Sequence, residues 1–246
     1  MIPSISQHPN GRHDKTPRQS PTDVVLAGGS PAAEARSITG RPYLSWTQVS
    51  SYQQCPRAFA FGYVEHADPD FVPSSLLFGS AMHEAFAKVH EHDMEGLPVP
   101  SSEDLAGEVS NLLNSSLLPV RYSKGESAES LHALGQRMVD AFLAAPESKP
   151  EGQPVCIEDR ASGISDPQIP PIEGKVDFVR LTRDGLVLRD YKTSRSRWNS
   201  DKAAHQRRWL IAAASACETQ NGAAAERRYG GHHELSAQAE WIAPLV

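Results

Sequence analysis

Asp177, Asp190 and Lys192 are the side chains of this sequence whose types and spacing point most directly to chemistry. They fall on two runs of alternating polarity, Ile172 to Thr182 and Leu186 to Thr193, joined by Arg183-Asp184-Gly185. Asp-Gly between alternating runs predicts a β-hairpin, because both central residues take positive φ at small cost. With Asp184-Gly185 as a two-residue turn, Arg183 pairs with Leu186, Val179 lies opposite Asp190, and Asp177 lies opposite Lys192. Opposed residues share a sheet face, as do residues two apart on one strand. Asp177, Asp190 and Lys192 therefore project from one side, far from the turn, at the rim of an apolar patch of Val179, Leu181, Leu186 and Leu188. A three-residue loop would shift the register by one and break this alignment.

Two carboxylates beside an ammonium group are costly to bring together unless a cation neutralises them. Mg²⁺ usually takes one or two protein carboxylates plus waters and phosphate oxygens. Such a metal polarises a phosphodiester and lowers the pKa of water, while a nearby ammonium orients that water or stabilises developing charge. The set suits metal-assisted phosphodiester hydrolysis. On spacing alone, an ordinary ion pair between Lys192 and either aspartate accounts for the same residues. The acid-x-lysine triplet also occurs at Glu147-Ser148-Lys149 and Glu173-Gly174-Lys175. Only Asp190-Tyr191-Lys192 ends a strand with a second carboxylate across the hairpin.

The elements that must position these groups follow from periodicity. Ser45 or Thr47 can cap a helix running through Tyr52, which Pro56 interrupts or restarts. A helix over about Leu76 to His92 carries Phe78, Met82, Ala85, Phe86 and Val89 on one stripe. Further helical patterns lie near 102–114 and 126–144, the latter with Leu131, Leu134, Met138 and Phe142 on one face. Pro146, Pro150 and Pro154 bracket a connector, after which the period becomes two, first at Val155-Cys156-Ile157-Glu158. An alanine-rich helix is expected from about Lys202 to Glu218, and the last residues contain one candidate closing strand. The chain thus divides into a disordered tail over 1–42 and one unit over 43–246. That unit comprises a helical portion (43–145), a connector (146–154), catalytic strands and helix (155–217) and an unassigned C-terminal segment (218–246). The tail reading rests on six prolines, four glycines and no aromatic residue in 1–42, too little apolar surface to offset the entropy of ordering.

At 246 residues, with 39% apolar and 22% charged residues, the chain is long enough to bury a core. No apolar run approaches the roughly 18–20 residues that span a bilayer, and the start lacks a signal-peptide pattern. Three scattered cysteines (Cys55, Cys156, Cys217) form no CxxC pair, which fits a reducing cytoplasm. The net charge of −6 argues against a protein that coats nucleic acid over its whole surface. Charge is nevertheless concentrated. Lys192, Arg195, Arg197, Lys202, Arg207 and Arg208 are opposed by Asp201 alone, a patch that suits phosphates and whose binding should weaken with salt. A solvated basic helix start is the plainer account of the same run. Trp198 and Trp209 could stack bases.

Five stretches in order resemble the RecB-like branch of the PD-(D/E)XK nuclease superfamily, which includes CRISPR-associated and phage-encoded exonucleases. Leu44-Ser45-Trp46 through Tyr52-Gln53-Gln54-Cys55-Pro56-Arg57 is similar to the family's opening helix. Phe78-Gly79-Ser80-Ala81-Met82-His83 resembles its G-x-x-x-H element. Gly174-Lys175-Val176-Asp177 resembles G-x-[IV]-D, Asp190-Tyr191-Lys192-Thr193 resembles D-Y-K-T, and Gln206 resembles the glutamine motif. The resemblance implies an α/β fold with a restriction-endonuclease-like core, a mixed sheet flanked by helices with a helical N-terminal portion. It implies His83, Asp177 and Asp190 as metal ligands, with the backbone carbonyl of Tyr191 as a further one. Gly79, one turn before His83, would leave room beside it. Lys192 would position or activate the attacking water, and Gln206 would contact the substrate backbone or brace the lysine.

The expectation is a Mg²⁺- or Mn²⁺-dependent deoxyribonuclease acting on DNA ends or single strands. Its settings would be repair, recombination or phage DNA processing, with a recombination or helicase partner and no membrane association. Arg195, Arg197, Arg207 and Arg208 are the expected DNA contacts. A catalytically silent DNA-binding or docking module and a restriction-type endonuclease are the alternatives. Some relatives hold an iron–sulfur cluster through one early and three late cysteines. Here only Cys217 follows Gln206, so no cluster is expected and Cys55 is read as buried packing. The family's glutamine motif also continues with an aromatic residue one turn later, where this chain has Leu210.

Overall fold

The computed structural model describes residues 29–163, 167–193 and 238–242. Its first element is a helix, α1 (Pro31–Thr39), inside the stretch expected to be a disordered tail. Composition hid the local signals. The Ser30 hydroxyl accepts from Ala33 N–H at the N-terminus, Pro31 supplies a helical φ where no donor is needed, and Gly40 closes the helix at φ 73°.

A two-residue strand, β1 (Leu44–Ser45), leads into α2 (Trp46–Gln54). Ser45 is the cap: its hydroxyl accepts from Gln48 N–H while the Gln48 side chain accepts from Ser45 N–H, a reciprocal capping box. Pro56 restarts the chain as α3 (Pro56–Phe59), which runs on into a π-turn over Ala60–Val64. Cys55, the extended residue between the two helices, is exposed rather than buried, because the break at Pro56 holds it off the α2 surface. Two short parallel strands, β2 (Val72–Pro73) and β3 (Val120–Arg121), flank α4 (Ser74–Glu95) and α5 (Ser102–Asn114). Then come α6 (Ala128–Ala144) and a 3₁₀ turn over Pro146–Ser148.

The other five strands form one mixed sheet. β4 (Gln153–Gly163), much longer than the expected 155–158, pairs antiparallel with β5 (Ile172–Thr182) from Ile172 to Leu181. On the other edge of β5 lies β6 (Gly185–Tyr191), antiparallel, and β7 (Gln238–Ile242) pairs parallel with β6 as the closing strand. β1 pairs with Ile172 and Glu173 of β5. β4 already occupies one edge there, so β1 takes the β6 edge, beyond the point where β6 has ended.

The hairpin register differs from expectation by two residues. Thr182 pairs with Gly185, and Arg183-Asp184 form the corner. Neither of those residues has positive φ; Gly185 does, at 123°, so the glycine follows the turn instead of sitting within it. Thr182 Oγ1 fastens the corner, accepting from Asp184 N–H and donating to Gly185 C=O. Val179 therefore faces Leu188, and the register carried one step past Phe178–Arg189 sets Asp177 opposite Asp190 instead of Lys192. A slip of two preserves the alternation, so all three residues stay on one face.

The core lies between α4, α5, α6 and the opposite face of the sheet. Phe78, Met82, Phe86 and Val89 of α4 pack with Leu105, Val109, Leu131, Met138 and Phe142, and Phe178 and Tyr191 meet them from the strands. Gly135 lets α6 approach α5 closely: a Cβ there would stand 2.9 Å from Val109 Cγ1. No helix among the described residues is long and apolar enough to cross a membrane.

Candidate active site

Beyond the Phe178–Arg189 pair, β6 runs two residues further to Tyr191, with Lys192 next, while β5 continues toward β1. The sheet forks at this point, and the chemistry-bearing side chains gather at the fork. The Tyr191 backbone N–H donates to Asp177 Oδ2 at 2.7 Å, replacing the strand-to-strand bond that would otherwise come next. Asp177 is buried, with its other oxygen, Oδ1, 3.3 Å from His83 Nδ1.

His83 stands on α4, on the edge of the stripe that packs into the core. Gly79 lies one turn earlier, where a Cβ would meet Thr193 Oγ1 at 3.4 Å. The helix thus passes close to the segment that carries Lys192. The ring of Tyr191 is held from the core side: its hydroxyl is 2.5 Å from His90 Nε2, and His90 in turn stacks on Phe178 with ring centroids 4.0 Å apart. Burial, reinforced by the nearby Arg189 and Arg180, pulls the His90 pKa down to about 3, so this histidine is a neutral anchor for Tyr191.

Periodicity did not mark Glu158. It stands 3.4 Å from His83 Nδ1 through Oε1, and its other oxygen pairs with Lys175. Between the pairs Ile157–Phe178 and Asp159–Val176, Glu158 falls opposite Asp177. It has φ 50°, a left-handed value rare for a residue with a side chain and a mark of local strain at many functional sites. The one prior signal was that Glu158 ended the predicted strand 155–158; its pairing with Asp177 depends on a register set by residues far along the chain.

His83, Glu158 and Asp177 each offer a ligand atom, and these atoms lie within 4.8 Å of one another. One imidazole nitrogen and two carboxylates suit a divalent cation such as Mn²⁺ or Mg²⁺. Without a cation, the imidazole takes that role. Burial lowers its pKa, but hydrogen bonds and charge from Asp177 and Glu158 outweigh burial and raise it to about 10. Glu158 shows the reverse balance: burial raises its pKa, yet the hydrogen bonds to His83 and Lys175 bring it below the usual value.

Asp190, the second carboxylate expected at this site, pairs with Lys192, whose Nζ is 2.5 Å from Asp190 Oδ2. Burial, with the nearby charge of Asp177, outweighs the pull of Lys192 and holds the Asp190 pKa up at about 6. The structure thus brings His83, Asp177, Asp190, Tyr191 and Lys192 to one place and adds Glu158. Gln206, Arg195, Arg197, Arg207 and Arg208 lie outside the described residues, as do Trp198, Trp209 and Cys217.

Among known protein families, the PD-(D/E)XK nuclease superfamily matches residues 43–238. Comparison with curated proteins finds no match.

Proposed function

Because the chain belongs to the PD-(D/E)XK nuclease superfamily, we propose that this nuclease is a metal-dependent deoxyribonuclease hydrolysing phosphodiester bonds at DNA ends or in single strands. One observation carries the reading: His83, Glu158 and Asp177 converge within 4.8 Å beside the Lys192–Asp190 pair. His83, Asp177, Asp190 and Glu158, with the Tyr191 carbonyl, are the residues that would hold the cation. A bound divalent ion supplies charge neutralisation at the phosphate and lowers the pKa of water.

The chain's own groups do the rest. Tyr191 N–H fixes Asp177 in one orientation, and the buried His90–Tyr191 contact fixes Tyr191. Asp190 holds the Lys192 ammonium at the fork, where it orients the attacking water and stabilises negative charge as it develops. Gln206 steadies the substrate backbone or Lys192, and Arg195, Arg197, Arg207 and Arg208 bind DNA phosphates. The cation is Mg²⁺ or Mn²⁺, and the cellular setting is DNA repair, recombination or phage DNA processing, beside a recombination or helicase partner.

The test is hydrolysis of end-labelled DNA with Mn²⁺ by the wild type, Lys192→Ala and Asp190→Ala. Wild-type turnover at least about a hundredfold above both variants is expected. Equal rates would leave a DNA-binding module without turnover. A covalently closed circular substrate should stay intact; its cutting would mark an endonuclease.

A further inference from the structure

The fork opens onto a cavity of about 340 Å³ whose walls beyond Asp190 and Lys192 have no part in the nuclease reading. It runs from Asp190 and Lys192 past Gly174 and Lys175 to β1 and the first turn of α2, with Arg41, Tyr43 and Arg160 on its walls. Its volume is near the lower end of the roughly 300–1,000 Å³ of small-ligand sites, on the order of one nucleotide unit. Between the end of β6 at Tyr191 and the end of β1 at Ser45, the edge of β5 over Gly174 and Lys175 has no strand neighbour on that side among the described residues. Gly174 leaves that edge open to close approach.

Two guanidinium groups converge on Tyr43. Arg41 lies over its ring at 5.9 Å, and Arg160 Nη1 is 3.5 Å from its hydroxyl. Arg160 also lies 3.8 Å from Glu173, but the arginine side chain is 74% exposed, and so open a pair holds weakly. Arg41 has no carboxylate partner among the described residues. Asp190 is already engaged by Lys192, and Lys175 by Glu158. Arg41 and the weakly held Arg160 therefore supply positive charge that the two carboxylates of the cavity wall, Glu173 and Asp190, do not fully offset, and the first turn of α2 lines the same cavity. Planar guanidinium groups match phosphate oxygens two at a time, and an aromatic ring between them offers a face for a base.

We propose that this cavity is a subsite for a nucleic acid strand, in which Arg41 and Arg160 hold a phosphate next to the cleavage centre and Tyr43 positions both. The proposal rests on the nuclease reading for its substrate. The subsite sets where along the strand the scissile phosphate falls, since the cavity wall is continuous with Asp190 and Lys192.

The test uses the full chain and a short fluorescent single-stranded deoxyoligonucleotide. Dissociation constants are read by anisotropy in EDTA across a salt series, and KM and kcat are read with Mn²⁺. Arg41→Ala and Arg160→Ala should each raise Kd and KM roughly tenfold, with kcat within about twofold of the wild type. Each should also reduce the slope of log Kd against log salt by about 0.7, as expected for one lost contact to a single strand. Arg160→Lys should recover part of the loss, and an exposed control, Lys124→Ala, should leave binding unchanged. A loss confined to a 5′-phosphorylated oligonucleotide would assign the subsite to a terminal phosphate; an equal loss with a 5′-hydroxyl would assign it to an internal phosphodiester. Folded Arg41→Ala and Arg160→Ala proteins with wild-type Kd and salt slope overturn the inference, whatever the cleavage result. Weakened binding in a protein that never cleaves would retain the subsite and remove the nuclease reading.

Discussion

Asp177 takes a hydrogen bond from the backbone of Tyr191 through one oxygen and faces His83 through the other, at 2.7 and 3.3 Å. One carboxylate thereby ties the forked end of the hairpin to the helix that runs across it. The first bond needs only an acceptor, whereas the second, and any cation, needs charge.

Asp177→Asn separates these two demands. The amide oxygen can still accept from Tyr191 N–H, so the folded chain should melt within a few degrees of the wild type. Mn²⁺ binding, followed by calorimetric titration, should weaken at least about tenfold, because a charged ligand is gone. Unchanged Mn²⁺ affinity would mean that Asp177 is a structural clamp and no ligand.

Glu158→Gln tests the residue that periodicity did not mark. The substitution keeps the side-chain length and removes the charge shared by His83 and Lys175. Mn²⁺ affinity should fall by about 10–100-fold, whether Glu158 touches the ion or only orients His83. Electron spin resonance of bound Mn²⁺ distinguishes these: an altered signal at saturation marks a direct ligand, and an unaltered one marks orientation.

Much of the frame was legible because it is local. The apolar stripe of α4, the caps of α2 and the alternation of β5 are each readable within a window of ten or so residues, and the observed elements follow them closely. The acids and lysine of the hairpin share a face because alternation survives a slip of two, even though the corner fell at Arg183-Asp184. What escaped depends on contacts between distant segments or on weak signals in a misleading composition. Glu158 acquires its meaning only when β4 pairs with β5, and α1 was masked by the prolines and glycines around it.

Gly135→Ala probes the packing that supports α4. The added methyl would stand 2.9 Å from Val109 Cγ1, with Phe78 and Met82 close behind, in a region of α6 already filled by buried side chains. Alanine favours a helix over glycine by about 1 kcal/mol, but overpacking a core costs about 1–3 kcal/mol. The clash should win, so the variant is expected to unfold at lower urea concentration than the wild type. A gain in stability would show that Val109 can turn aside at little cost.

The two histidines of α4 are displaced in opposite directions, so in the metal-free protein their joint contribution to stability should be greatest near pH 6.5. For His83, the folded pKa of about 10 lies above the ordinary 6.5, so its contribution is complete below pH 6.5 and is lost as pH rises toward 10. For His90, the folded pKa of about 3 lies below 6.5. The unfolded chain then binds the proton first, and stability falls as pH drops from 6.5 toward 3. Each linkage changes the unfolding free energy by about 1.4 kcal/mol per pH unit within its window. Asp190, whose folded pKa is raised to about 6, works against the His90 slope below pH 6, so each histidine's slope is read in EDTA as the difference in urea unfolding between the wild type and its variant. His90→Gln should change the acid side alone and His83→Gln the alkaline side alone, as each removes one titrating group. An acid slope unchanged in His90→Gln would mean that carboxylates, not this buried imidazole, drive the loss.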